Sequence, residues 1–76
     1  MMNLHDAIIG GRYRVLAIQD YPAELQSRLY ALGIFPGALV DILRRAPLGD
    51  PLQIKMGHSL VSIRKQEARA IQVEAT

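Results

Sequence analysis

Residues 29–51 carry a series of turn signals that restricts this chain to short structural elements. Gly33 can take the left-handed conformation that ends a helix. Pro36 and Gly37 fit the central positions of a type II turn, where the second residue needs a positive φ. The sequence APLGDP at residues 46–51 places two prolines around a tip, which predicts a rigid loop. A loop this well defined indicates a surface that another molecule reads.

The segments between these turns alternate apolar and polar residues, as half-buried strands do. Residues 65–68 are too few for a stable helix and suit a single helical turn. Five strands are predicted: at residues 12–18, 38–45 and 52–56, around Val61 and Ile63, and around Ile71 and Val73.

One helix is predicted between the first and second strands. Asp20, followed by Tyr21 and Pro22, is typical of a helix start. Leu25, Leu29 and Leu32 follow the i, i+4, i+7 spacing of one helix face. We therefore expect a helix near residues 22–31, with Leu29 and Leu32 in the core.

The 76 residues are expected to form a single domain, residues 1–76. Closing a small sheet on itself protects its edges. The predicted fold is therefore mostly β, a small SH3-like five-stranded barrel with one short α-helix inserted after the first strand. The alternative is an open five-stranded sheet with the helix on one face.

The composition excludes several classes of protein. The chain has no cysteine, which excludes disulfides and thiolate sites and favours a reducing cytosol. No apolar run approaches the roughly 20 residues that span a bilayer, and the first residues lack the basic and apolar regions of a signal peptide. We expect a cytoplasmic protein that reaches a membrane only through a partner.

The chain shows no pattern typical of catalysis or of cofactor binding. Its serines, Ser27, Ser59 and Ser62, lie in no nucleophile elbow, and no glycine-rich phosphate loop is present. We therefore expect neither enzymatic activity nor a cofactor. The net charge of +2 and an aromatic content of 5% also argue against a nucleic-acid partner.

The histidines are the residues to consider for a metal site. Tight sites for first-row metals need several preorganised ligands, usually with histidine among them. His5 and His58 lie far apart in the sequence, and neither has a second ligand at helical spacing. Both are expected to be solvated loop residues, although a weak site at His5 and Asp6 remains open.

The proline-bounded loop supplies the candidate partner-binding residues: Arg44, Arg45, Leu48 and Asp50. Leu48 occupies the loop tip, where an apolar side chain either folds back onto the core or is exposed for a partner. The charged residues beside it can orient that partner. Phe35, between a helix stop and a proline turn, is expected in the core or lining a pocket.

An ordered series of residues resembles the ferrous iron transport protein A (FeoA) family, from about Leu4 to Glu74. The run APLGDP at residues 46–51 is its most specific part. The matching positions are Arg28, Leu29, Leu32, Gly33, Ile34, Pro36, Gly37, Val40, the loop at 46–51, Ser62, Ile63, Arg64, Glu67, Ala68 and Val73.

The resemblance implies an SH3-like barrel without catalytic activity and a supporting role in bacterial iron(II) uptake. The implied partner is the cytoplasmic region of the ferrous iron permease (FeoB), which carries the nucleotide-binding domain in this system. The family also looks like the SH3-like domain of iron-dependent repressors, which contributes metal ligands there. Direct iron(II) binding, as a sensor or delivery protein, is therefore the alternative function.

Overall fold

The computed structural model describes residues 2–19 and 22–76. The described elements are the strands β1 (Met2–Asn3), β2 (Arg12–Ile18), β3 (Leu39–Arg45), β4 (Leu52–Met56), β5 (Ser59–Ile63) and β6 (Ile71–Ala75), the helices α1 (Ala23–Ala31) and α2 (Lys65–Ala70), and a 3-10 turn at Leu4–Asp6. The six strands form one antiparallel sheet in the order β1-β6-β2-β3-β4-β5. The predicted mostly β fold class is confirmed, with α1 inserted after the first long strand, and among the described residues β1 and β5 are the two ends of the sheet.

The element boundaries differ from the sequence prediction at short elements. The sequence predicted five strands, and the additional one is β1, whose two residues are too few to show alternation. The predicted single turn at residues 65–68 is the six-residue helix α2. The predicted helix start at Asp20 and Tyr21 lies outside the described residues, and α1 begins at Ala23.

Gly33 closes the C-terminus of α1. Its φ is +95°, and its N–H donates to the carbonyl oxygen of Tyr30 at 2.9 Å. The N–H of Ile34 reaches back to the carbonyl oxygen of Leu29, also at 2.9 Å. This pair of bonds is the Schellman motif. It delivers Ile34 into the core together with Leu29, and both side chains are fully buried.

The same turn explains two errors of the sequence prediction. Leu32, expected in the core, is 38% exposed, and Phe35, expected in the core or lining a pocket, is 45% exposed. Helical spacing holds only as far as the last helical residue, Ala31. The left-handed residue Gly33 then redirects the chain, so that Ile34 takes the buried position instead of Leu32 or Phe35.

Tight turns join α1 to β3 and β4 to β5. Gly37 has a φ of +96°, and the N–H of Ala38 donates to the carbonyl oxygen of Phe35 at 3.0 Å. These values are those of a type II turn. Gly57 and His58 form a two-residue connection between β4 and β5, and Gly57 has a φ of +60°.

The core lies between the inner face of the sheet, the two helices and the N-terminal turn. The inner positions of β3 and β4 alternate with polar or exposed positions, as the sequence pattern predicts. The buried cluster contains Leu4, Ala7, Tyr13, Val15, Leu29, Ile34, Val40, Ile42, Leu52, Ile54, Ile63, Ala68, Ile71 and Val73.

Candidate protein-binding surface

The loop between β3 and β4 presents Leu48 to solvent. The N–H of Gly49 donates to the carbonyl oxygen of Ala46 at 2.7 Å, and the N–H of Ala46 donates to that of Pro51 at 3.0 Å. The two bonds close the loop on itself, and its prolines restrict the backbone further. Leu48 is 97% exposed at the tip. Of the two possibilities for this side chain, the structure shows the exposed one.

Asp50 connects this loop to α2. Its Oδ1 accepts a hydrogen bond from the backbone N–H of Lys65 at 3.0 Å. Lys65 is the first residue of α2, where backbone N–H groups have no partner within the helix. Asp50 is only partly buried. The carboxylate therefore fixes the loop against the helix start.

Arg44 and Arg45 point to different parts of the molecule. Arg44 is exposed, and its Nε donates to Oε1 of Gln53 on β4 at 2.6 Å. Arg45 instead donates from Nη2 to the carbonyl oxygens of His5 (2.6 Å) and Ala7 (3.0 Å). Its Nη1 is buried and has no hydrogen-bond partner among the described residues. Arg45 therefore fastens the N-terminal turn, while Arg44 belongs to the outer face of the sheet.

A bulge in β3 adds one residue to this outer face. The register between β3 and β4 shifts between Ile42 and Arg44, so Leu43 is the inserted residue. Leu43 is exposed and lines a shallow depression of about 70 Å³. The other lining residues are Gln53 on β4 and Leu60, Val61 and Ser62 on β5.

This depression is not predicted from the sequence. Leu60 is 74% exposed and lies beside Val61, which packs against the core. An apolar residue at an outward position of a strand is the signal that could have identified it. The bulge at Leu43 leaves no comparable signal in the sequence.

An ion pair on the outer face joins β2 to β3. Nε of Arg12 donates to Oδ1 of Asp41 at 2.7 Å. This hydrogen bond, together with the positive charges of Arg12 and Lys55, lowers the pKa of Asp41, and the same hydrogen bond raises the pKa of Arg12. Lys55 lies opposite Asp41 in the register of β3 and β4.

The described residues contain no preformed metal cluster. No group of three or more histidine and acidic side chains within residues 2–19 and 22–76 is close enough to hold a metal ion. His58 is exposed on the β4–β5 turn, and His5 is partly buried in the N-terminal turn. In the same part of the chain, neither α1 nor α2 is long and apolar enough to cross a membrane.

The comparisons with known proteins agree with the fold. The family model for the FeoA domain matches residues 2–75. The solution structure of iron(II) transport protein A from Clostridium thermocellum is 35% identical over 99% of this chain, with a TM-score of 0.91. The FeoA protein of Chlorobium tepidum is 36% identical over 97% of the chain, with a TM-score of 0.88.

A third similar structure carries a functional description. Stenotrophomonas maltophilia FeoA in complex with zinc is 27% identical over 97% of this chain, with a TM-score of 0.82. It is described as a prokaryotic SH3 domain protein and a possible bacterial ferrous iron transport activating factor. The present chain spans 91% of that protein, 70% of the C. tepidum protein and 46% of the C. thermocellum protein.

Proposed function

The chain belongs to the FeoA domain family, and from this premise we propose that it is a cytoplasmic accessory protein of ferrous iron uptake. In this proposal it docks on the cytoplasmic region of the ferrous iron permease, FeoB, and modulates transport. It has no catalytic activity of its own and contacts the membrane only through the permease. The description of the S. maltophilia relative as a possible transport activating factor supports a role in ferrous iron transport and names no partner.

The observation that carries this proposal is the exposure of Leu48 on a closed loop. An apolar side chain that is 97% exposed contributes almost nothing to the core. The loop that presents it is held by two internal backbone hydrogen bonds and by the bond from Lys65 to Asp50. A preorganised loop loses little conformational entropy on docking, so more of the contact energy appears as affinity.

The charged residues around the tip suit the rim of such an interface. Arg44 lies exposed at the end of β3, and Asp50 keeps part of its carboxylate accessible. Charges at the rim of an interface mainly set orientation and association rate, whereas a central apolar anchor supplies affinity. The docking surface we propose therefore consists of Leu48, Arg44 and Asp50. Arg45 contributes by holding the N-terminal turn.

A direct binding measurement tests this function. The chain is titrated into the purified cytoplasmic region of the ferrous iron permease from the same organism, with and without guanine nucleotide. We expect saturable one-to-one binding, because the chain offers one loop tip with an exposed apolar anchor. Nucleotide is varied because the permease carries the nucleotide-binding domain in this proposal. The absence of binding in both nucleotide states would contradict the proposal.

A further inference from the structure

The strand β5 has a free hydrogen-bonding edge. Within the described residues it ends the sheet and pairs with β4 alone. The two-residue turn at Gly57 and His58 is closed by the pair Met56 and Ser59. Because backbone groups in an antiparallel strand alternate in direction, those of Leu60 and Ser62 point away from β4. No backbone hydrogen bond joins either residue to another described element.

This edge lacks the features that usually protect an exposed strand. Sheet edges are commonly blocked by proline, by charged side chains or by bulges. The residues of β5, SLVSI, include neither a proline nor a charge, and the register between β4 and β5 is continuous. The opposite edge of the sheet is β1, which is only two residues long.

The electrostatic environment of the β4–β5 hairpin is basic. Residues 51–66 contain no aspartate or glutamate, but they include Lys55, Arg64 and Lys65. Of the nearby acids, Glu67 is buried in a contact with Arg28. Asp41, opposite Lys55, is paired with Arg12, and Asp50 accepts from the N–H of Lys65 while its residue stays partly accessible beside the loop. An added strand would therefore meet positive charge. A second copy of this hairpin would bring like charges together, which disfavours self-pairing.

The edge also lies beside surfaces already described. In the register of β4 and β5, Ile63 pairs with Leu52, the first residue after the proline-bounded loop. Ser62 and Leu60 line the depression next to Leu43 on the outer face. A strand added at β5 would thus place an apolar side chain over this depression while Leu48 at the loop tip contacts the same partner.

We propose that the edge of β5 binds an extended, acidic segment of the partner protein as an additional strand of the sheet. Backbone groups of Leu60 and Ser62 would provide the hydrogen bonds, and Lys55 and Arg64 would face the carboxylates of the segment. Pairing of this type obtains affinity from main-chain bonds and selectivity from neighbouring side chains. The inference rests on the proposed docking to the permease and identifies a second contact of that complex.

Amide hydrogen exchange, read by NMR residue by residue, tests the pairing. In the chain alone, the amides of Leu60 and Ser62 exchange quickly, whereas those of Val61 and Ile63 are protected by β4. On addition of the permease cytoplasmic region, exchange at Leu60 and Ser62 slows by about tenfold or more. Binding that leaves both amides fast would overturn the edge pairing while leaving the docking function intact. The absence of any binding would contradict both.

A concentration series of the chain alone tests whether a second copy occupies the edge. Protection of the Leu60 and Ser62 amides that increases with the concentration of the chain alone would show a second copy at the edge and contradict the acidic partner.

Ser62→Pro removes the outward N–H, whereas Ser62→Ala retains it. We expect the proline variant to bind the permease region about tenfold more weakly than the alanine variant. If Ser62→Pro does not fold, Lys55→Glu is compared with Lys55→Gln, and equal affinities of these two variants would contradict the role of charge.

Discussion

The guanidinium group of Arg28 on α1 pairs with Oε2 of Glu67 on α2, across 39 positions of the sequence. Glu67 is only 5% exposed, whereas the Arg28 side chain is half-exposed. The other carboxylate oxygen of Glu67 accepts from the backbone N–H of Arg64 at 2.9 Å. One buried carboxylate therefore caps the start of α2 and connects it to α1. Both residues belong to the series that resembles the FeoA family.

Replacing Glu67 with alanine should lower the free energy of unfolding by about 2 kcal/mol, because it removes a charge-assisted hydrogen bond to Arg28 and the acceptor of the Arg64 N–H. Arg28 itself remains half in water, so it is not left as a buried unpaired charge. Glu74, which forms an exposed pair with Arg14 at 3.5 Å, provides the matched control. Glu74→Ala should cost less than about 1 kcal/mol. Urea unfolding of the two variants measures both values, and equal losses would contradict the structural role of Glu67.

Leu29 and Leu32 lie three positions apart, but Leu29 is buried in the core and Leu32 is exposed. Leu29→Ala should destabilise the fold by about 2–5 kcal/mol, because it empties a fully buried site. Leu32→Ala should change stability by about 0.5 kcal/mol or slightly more, since the side chain already lies partly in water. Thermal and urea unfolding of the pair measures the difference. A larger loss for Leu32→Ala would show that the end of α1 packs differently.

The pair Arg12 and Asp41 makes a prediction about pH. The hydrogen bond from Arg12 lowers the pKa of Asp41 below its usual value of 3.8. A lowered pKa in the folded state means that the stabilisation is fully present above pH 3.8 and is lost as the pH falls below it. In Arg12→Gln, the Asp41 pKa should rise towards its usual value. An NMR titration of the Asp41 carboxyl group follows this change, and an unaltered pKa would contradict the pairing.

The isolated chain should have no iron(II) site of sub-micromolar affinity. The two histidines lie on separate turns, and no cluster of three ligands occurs among residues 2–19 and 22–76. Anaerobic calorimetry with iron(II) or manganese(II) provides the measurement. A saturable one-to-one isotherm that His58→Ala abolishes would refute this expectation and favour direct metal binding.

Local sequence rules predicted the elements of the fold well where structure depends on the conformational preference of single residues or on the alternation of apolar and polar residues. Strands β2 and β4 have the predicted bounds. The rules failed at Leu32 and Phe35, because a left-handed glycine changes the direction of the chain and helical spacing no longer applies. They also could not predict the contacts of Arg45. These join it to His5 and Ala7, which precede it by 40 and 38 positions in the sequence.

The candidate surface was predictable only in part for the same reason. The exposed tip at Leu48 follows from two prolines within six residues, which is local information. The depression on the outer face depends on the pairing of three strands and on the bulge at Leu43. A single sequence does not encode which residues of separate strands become neighbours, so this part required the structure.

The most direct test of the proposed docking is the affinity of Leu48→Asp for the permease cytoplasmic region, measured by calorimetry together with its thermal midpoint. We expect binding to weaken by about tenfold or more, because the charge cannot enter an apolar contact. The melting temperature should stay close to that of the unsubstituted chain, since the side chain lies outside the core. Ile8→Asp, an exposed apolar position before β2, is the control and should bind normally. Normal binding by Leu48→Asp would show that the loop is not the docking surface.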